Sequence, residues 1–439
     1  MVKNYCIVGT GSRGISMYGE SIVHHYSDVA RLTGLCDVNA GRVAYAQRRL
    51  GGDIPTFTNF QEMLNSVECD TVIVTTKDAD HDHYIVDALQ HGKDVITEKP
   101  LTTTAEKANR ILRAEKDTGR RVRVAFNYRY APYKTEVKRL LKEGIVGTVH
   151  SVEFRWFLDT VHGADYFRRW HAKKANSGGL FVHKATHHFD LINWWLDLEP
   201  EEVVAIGSRQ YYIPERMSGH GERCSTCTIT DRCPFYLDLA NTPNLRELYL
   251  DHEEYDHYWR DGCVFSEDID IEDTMSALIR YPNGIHVTYA LTAATPFEGW
   301  WVAFNGSRGR LEAFEPEAMV PNGELPNFSE RSHRPGRQAV DWRFVEEGHV
   351  PEFHALTLRF YPLFGGVQTF SVKRGEGSHG GGDKRLQDDL FRGVNDDPLN
   401  HAADSRAGAM AMLIGAAANR SMAERRFVKI RELLDPDLL

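Results

Sequence analysis

Tyr5-Cys6-Ile7-Val8-Gly9-Thr10-Gly11-Ser12-Arg13-Gly14 decides the fold. A short apolar strand runs directly into G-x-G-x-x-G. Glycine at the first position allows a tight turn and at the second lets a pyrophosphate approach the backbone. At the third it lets the following helix pack closely. The amides that open that helix attract an anion. Gly9, Gly11, Ser12, Arg13 and Gly14 are therefore expected to hold the phosphates of a dinucleotide. A second apolar run, Ala30–Cys36, ends at Asp37, roughly 20 residues on, where an acid accepts the adenine-ribose hydroxyls. Asp37 would repel a 2′-phosphate, so NAD is expected in preference to NADP. Arg13 and Arg42 could pair with a phosphate and weaken that preference.

Outward from this motif, β-rich runs alternate with helical ones, the signature of a parallel α/β sheet. Tyr5–Val8, Ala30–Cys36, Thr71–Thr75, Asp94–Thr97 and Arg121–Ala125 read as strands. Gly41–Leu50, Phe60–Asn65, His83–Gln90 and Ala105–Lys116 read as the helices between them. Thr75, Glu98 and Lys99, at strand ends, complete the expected cofactor contacts. Residues 1–127 are thus expected to form an NAD-binding Rossmann domain.

Beyond a further helix (Tyr133–Glu143) the pattern changes. Val149–Phe157, Met275–Tyr281, Ile285–Ala290 and Trp300–Asn305 resemble antiparallel strands, with hairpin chemistry at Pro282-Asn283-Gly284 and Asn305-Gly306-Ser307. Residues 128–439 are expected to form a substrate-binding and oligomerisation domain, interrupted by a Cys-rich insertion over about 208–268. Ala402–Ser421 reads as a helix whose small residues permit close packing.

The 439 residues suit two domains, and a 42% hydrophobic, 26% charged composition is that of a soluble globular protein. A formal net charge of -10 without a basic tail argues against nucleic acid or an anionic membrane as partner. The N-terminus lacks the apolar core of a signal peptide, and no apolar run approaches the roughly 18 residues of a membrane span. Seven cysteines, three of them scattered through the first domain, do not make a disulfide framework. The expected location is the cytoplasm.

The strand Asp94–Thr97 ends in Glu98-Lys99-Pro100, which places a lysine beside the crevice where a nicotinamide would lie. With a lowered pKa, it could take the proton of a reacting hydroxyl. Gly92-Lys93-Asp94-Val95 followed by Glu98-Lys99-Pro100 resembles the hallmark of the Gfo/Idh/MocA oxidoreductases. Asn127-Tyr128-Arg129-Tyr130-Ala131-Pro132 resembles the opening of their second domain. The stretch from Gly178-Gly179 through His183, His187, His188 and Asp190 resembles their active-site helix. The likeness runs from residue 3 or so to the final helix, omitting the insertion.

The resemblance implies a Rossmann domain followed by an α+β domain with an open, mostly antiparallel sheet. The exposed face of that sheet often builds homo-oligomers, here a dimer or tetramer. It implies NAD(P)-linked chemistry on hydroxyls of sugars, inositols and related compounds. By position, Lys99 and His187 correspond to the family's catalytic lysine and histidine, and Asp190 to a further acid. The sequence departs from the common pattern at His183, where an aspartate usually stands. On a helix His183 and His187 share a side, so both could exchange protons beside Lys99. Paired histidines four apart could bind a metal, but no third ligand is evident.

Asn127 and Arg129 are expected to reach substrate, as is the cluster Tyr166, Arg168, Arg169 and Trp170. Aromatic faces stack on sugars, and arginines clamp hydroxyls, carboxylates or sulfonates. In the insertion, Cys224-x-x-Cys227, Cys233 and Cys263 suggest a structural zinc, with free thiols or an iron–sulfur cluster as alternatives. Cys263 has His252 and His257 as rivals for the fourth position.

Three functions remain in view. One is an NAD-dependent oxidoreductase acting on a secondary hydroxyl of a sugar, glycoside or cyclitol, and it leads. Another is a redox-neutral NAD-dependent glycoside hydrolase working through a transient keto-sugar, with an anionic sulfosugar glycoside among its possible substrates. The third is a non-catalytic nucleotide-binding sensor.

Overall fold

The computed structural model describes residues 2–319, 355–393 and 396–438. Its first sheet contains β1 (Lys3–Val8), β2 (Ala30–Cys36), β3 (Thr56–Phe57), β4 (Thr71–Val74), β5 (Asp94–Thr97) and β6 (Val122–Val124). Their order is β3-β2-β1-β4-β5-β6, and all pairings are parallel. All four residues of β4 are buried, which explains its unbroken apolar run, since a parallel strand is covered on both faces. The connecting helices begin where the sequence supplies caps. Asn39 accepts from the Arg42 amide at the start of Ala40–Arg49, and Thr104 from the Lys107 amide at the start of Ala105–Thr118. The second of these ends on Gly119, in the left-handed region that favours glycine. The strand order reverses between β1 and β4, which opens a crevice at their carboxyl ends.

The second sheet has nine strands: β7 (Val149–Asp159), β8 (Glu202–Ser208), β9 (Thr274–Arg280), β10 (His286–Thr295), β11 (Phe297–Gly306), β12 (Gly309–Met319), β13 (Ala355–Pro362), β14 (Gln368–Lys373) and β15 (Val428–Lys429). They run in the order β14-β13-β12-β11-β7-β10-β9-β8-β15. Every pairing is antiparallel except β7 with β10. Strict alternation of exposed and buried positions along β9 means one face is covered and the other open. The helix Ser405–Glu424 packs against β8 and the helix Thr186–Leu196 on the covered side. A Cβ at Gly408 would lie 2.7 Å from the Val124 side chain, and one at Gly415 would lie 2.4 Å from the Phe181 carbonyl oxygen. These small residues let one helix touch both halves of the molecule.

Two features were not legible in the sequence. The insertion is built from short helical turns, including Pro243–Leu248 and Leu250–Tyr255, with a small core of Val161, Leu237 and Leu239. The helix Gly382–Arg392 returns to the first sheet, where Phe391 packs edge-on against Tyr5 at 5.3 Å and Gln387 donates to the Met17 carbonyl at 2.8 Å. Among the described residues, no helix is long and apolar enough to cross a membrane.

Candidate active site

A cleft of about 430 Å³ lies at the carboxyl ends of the first sheet, facing the second. Its dinucleotide end is shaped by the glycine turn. Gly9 has φ +93°, and a Cβ there would sit 2.6 Å from the Thr75 backbone; one at Gly14 would sit 2.3 Å from the Gly9 carbonyl oxygen. Around Gly11 the backbone is open, with Tyr249 Oη the nearest atom to an added Cβ at 3.6 Å. This cradle fits a pyrophosphate approaching the amides of the following helix. Thr75 Oγ1 closes the turn by donating to the Gly9 carbonyl at 2.5 Å.

Asp37 is held rigidly. Its Oδ2 accepts from the Thr10 amide at 2.8 Å, and its Oδ1 from the Asn39 amide at 2.9 Å and Arg42 Nη2 at 3.3 Å. Arg13 does not reach toward Asp37. It pairs with Glu98 through Nε at 2.6 Å, and the Tyr18 hydroxyl donates to the same Glu98 oxygen at 2.8 Å.

Lys99 lies deeper. Its Nζ is 3.1 Å from the His183 carbonyl oxygen and 3.4 Å from His183 Nε2. The opposite ring nitrogen, Nδ1, is 2.5 Å from Asp78 Oδ2. When Lys99 is the ammonium it can only donate, so in that state Nε2 accepts and Nδ1–H donates to Asp78. Burial pushes Lys99 down to about 8, against the pull of Asp78, which favours its charge. Burial likewise pushes Asp78 well above the usual carboxylate range and His183 well below the usual imidazole value. Three groups in a line are thereby tuned away from their solution values, as proton-handling sites require.

His187 also lines the cleft, stacked on Tyr128 with ring centroids 4.2 Å apart, and burial drives its pKa well down. His188 faces the other way, its Nδ1 2.8 Å from the Tyr289 hydroxyl within the sheet core. Asn127, Tyr166, Arg169 and Trp170, expected to reach substrate, also line the cleft. Arg169 is clamped to Asp165 at 2.8 Å, and Trp170 stacks on His171 at 3.7 Å. Asn127 Nδ2 donates to Asp383 Oδ1 at 2.5 Å.

Two expected substrate residues lie elsewhere. Arg129 is buried in a two-point pair with Asp190, through Nε at 2.7 Å and Nη2 at 2.5 Å. Arg168 donates to the Phe235 carbonyl at 2.7 Å and to Cys224 Sγ at 3.5 Å, so it supports the insertion. Neither lines the cleft.

Cleft residues that the sequence reading left unassigned include Asp78, His162, Lys184, His379 and, from the insertion, Tyr249, Asp256 and Tyr258. Asp78 was reachable, because it follows the carboxyl end of β4, where such crevices form. The others come from loops whose place depends on tertiary packing.

Residues 3–126 match the family described as "Oxidoreductase family, NAD-binding Rossmann fold", and residues 138–430 match its "C-terminal alpha/beta domain". The chain belongs to the Gfo/Idh/MocA oxidoreductase family. The Bacillus subtilis (strain 168) protein YteT, an oxidoreductase by name, is 38% identical over 451 residues, covering 98% of this chain and 99% of its own. An inositol 2-dehydrogenase of Rubrobacter xylanophilus is 28% identical over 207 residues, covering 46% of this chain and 54% of its own. A levoglucosan dehydrogenase solved with NADH and levoglucosan shares the fold, with a TM-score of 0.64 at 18% identity over 98% of this chain and 100% of its own.

The zinc expected in this Gfo/Idh/MocA chain finds no support. Cys224, Cys227, Cys233 and Cys263 line one small cavity of about 20 Å³ beside His220, and all are free thiols. Among the described residues, no group of three or more His, Cys, Asp or Glu side chains is arranged to hold a metal ion. The sulfurs instead take protein donors: the Gly221 amide reaches Cys227 Sγ and the Phe265 amide reaches Cys263 Sγ, each at 3.4 Å. Burial raises the Cys233 thiol and pushes Cys263 up to about 11, favouring the protonated form. His252 and His257 do not line this cavity.

Proposed function

We propose that this protein is an NAD-dependent oxidoreductase acting on a secondary hydroxyl of a sugar, glycoside or cyclitol. The single observation that carries this is the line Lys99–His183–Asp78 at the crevice of the first sheet. Lys99, its pKa lowered by burial to about 8, takes the hydroxyl proton in its neutral form. His183 receives the lysine's proton-bearing face through Nε2, while Asp78 fixes the ring and its tautomer. His187 stands as a second acid–base group at the same cleft. Tyr166 and Trp170 offer faces for a sugar ring, and Arg169 offers a cation for an anionic substituent. The bound dinucleotide supplies the hydride acceptor and, in a redox-neutral cycle, the returning hydride. The carbohydrate class is supported by the inositol and levoglucosan dehydrogenases to which the chain is similar.

A redox-neutral glycoside hydrolase is the second reading, favoured by the number of histidines. His162, His171, His183 and His187 all line the cleft. Eliminating an aglycone after a transient ketone needs a base for the neighbouring C–H and an acid for the leaving oxygen, more than one oxidation needs. The sensor reading fits worst, because a non-catalytic binder gives no reason for a buried lysine tuned by an acid and an imidazole.

The test is to incubate the protein with NAD⁺ and a glycoside panel in D₂O, following NADH absorbance and aglycone release together. Stoichiometric NADH supports the oxidoreductase. Aglycone release with catalytic NAD⁺ and deuterium at the carbon beside the oxidised one supports the hydrolase. Neither signal with any substrate rejects both.

A further inference from the structure

The Cys-rich insertion meets the first domain along the dinucleotide cleft, at the loop after β2 and at the glycine turn. Asn39 Nδ2 donates to the His252 carbonyl at 2.8 Å and to Asp256 Oδ1 at 3.1 Å. Gly41 permits this approach, since a Cβ there would lie 2.2 Å from His252 Nδ1. At the neighbouring phosphate end, the Ser12 amide donates to the Tyr249 hydroxyl at 3.2 Å. Both Tyr249 and Asp256 line the cleft beside Asp37 and Arg42. The insertion is therefore the outer wall of the dinucleotide site.

Arg42 stands at the centre of this junction. Its Nη2 is shared between Asp37 Oδ1 at 3.3 Å and a short ion pair with Asp256 Oδ2. Its side chain is 11% exposed, so it has little freedom to turn elsewhere. Burial opposes its charge, but Asp37 and Asp256 together outweigh that and hold it cationic. An arginine beside the ribose acid is the group that would accommodate a 2′-phosphate. Here its Nη2 is engaged from both sides, by one acid from each half of the molecule.

We propose that Asp256, delivered by the insertion, is a specificity-determining residue for the cofactor: by holding Arg42 against Asp37 it denies a 2′-phosphate its cation. Asp37 alone repels the phosphate; Asp256 engages a nearby cation that could compensate. Cofactor choice is thus set partly by a segment outside the dinucleotide-binding fold. The inference rests on the proposal that this protein uses NAD.

Fluorescence titration of the full-length protein with NADH and with NADPH tests it. Wild type should prefer NADH. Asp256→Ala and the size-matched Asp256→Asn should each tighten NADPH binding about tenfold, the effect of one additional charge-assisted hydrogen bond from Arg42 to the phosphate. Adding Arg42→Ala to either should abolish that tightening, because the freed guanidinium is its source. Unchanged NADPH affinity in both single variants, an equal loss for both nucleotides, or a tightening that survives Arg42→Ala would overturn the role given to Asp256. Wild type that binds neither dinucleotide would instead reject the cofactor assignment itself.

Discussion

His183 Nδ1 lies 2.5 Å from Asp78 Oδ2, across 105 residues of sequence and between the two halves of the fold. The carboxylate comes from the turn after β4, where Asp78 opens Asp78–Asp80. Acid and imidazole together form a line that ends at Lys99 Nζ, 3.4 Å from His183 Nε2.

Lys99 is the first group to test. Lys99→Ala should lower kcat by roughly 10²-fold or more while leaving NAD(H) binding nearly intact, the usual weight of a positioned acid–base group. Stopped-flow hydride transfer and cofactor titration measured side by side check this. Loss of binding with unchanged single-turnover rate would refute the assignment.

The pH profile follows from the same residue. Alcohol oxidation needs Lys99 neutral, so kcat/KM in that direction should rise as pH passes through about 8 and then level off. Ketone reduction needs the ammonium and should fall through the same range.

Asp78→Asn removes the carboxylate that favours a charged Lys99. The oxidation limb should therefore move to lower pH, and kcat should drop as His183 loses its tautomer partner. A limb displaced upward, or unmoved, would show that Asp78 does not act through this line.

Arg129 should behave as a structural residue. Arg129→Ala leaves the buried Asp190 carboxylate without its partner and should destabilise the fold by about 3–5 kcal/mol. Urea denaturation reads this directly. Arg169→Ala, at the cleft wall, should raise KM for anionic glycosides more than for neutral ones.

Gly9→Ala should fail on two counts. Its φ of +93° is a region side chains avoid, and the new Cβ would meet the Thr75 backbone at 2.6 Å. A lowered melting temperature together with weakened NADH binding is expected. Full NADH affinity in a folded variant would show that the turn tolerates a side chain.

The parallel sheet and its glycine turn were legible because each depends on local rules, whereas the one helix expected to carry both His183 and His187 is broken between Leu180–His183 and Thr186–Leu196. Strand runs, glycine spacing and strand-end placement are properties of neighbouring residues. Arginines are where local reading failed. Arg129 and Arg168 occupy motif positions that look outward in sequence, yet burial pairs one with Asp190 and ties the other to the Phe235 carbonyl and Cys224. The cysteine spacing suggested a metal; the four thiols do meet at one cavity, but among the described residues they are not arranged to hold an ion. Partnerships such as Asp78 with His183, or Asp256 with Arg42, join residues far apart in the chain. Only the packing of the second sheet and its insertion against the first brings such charges within hydrogen-bonding distance. No periodicity encodes that distance, because it is set by how two separately patterned surfaces meet.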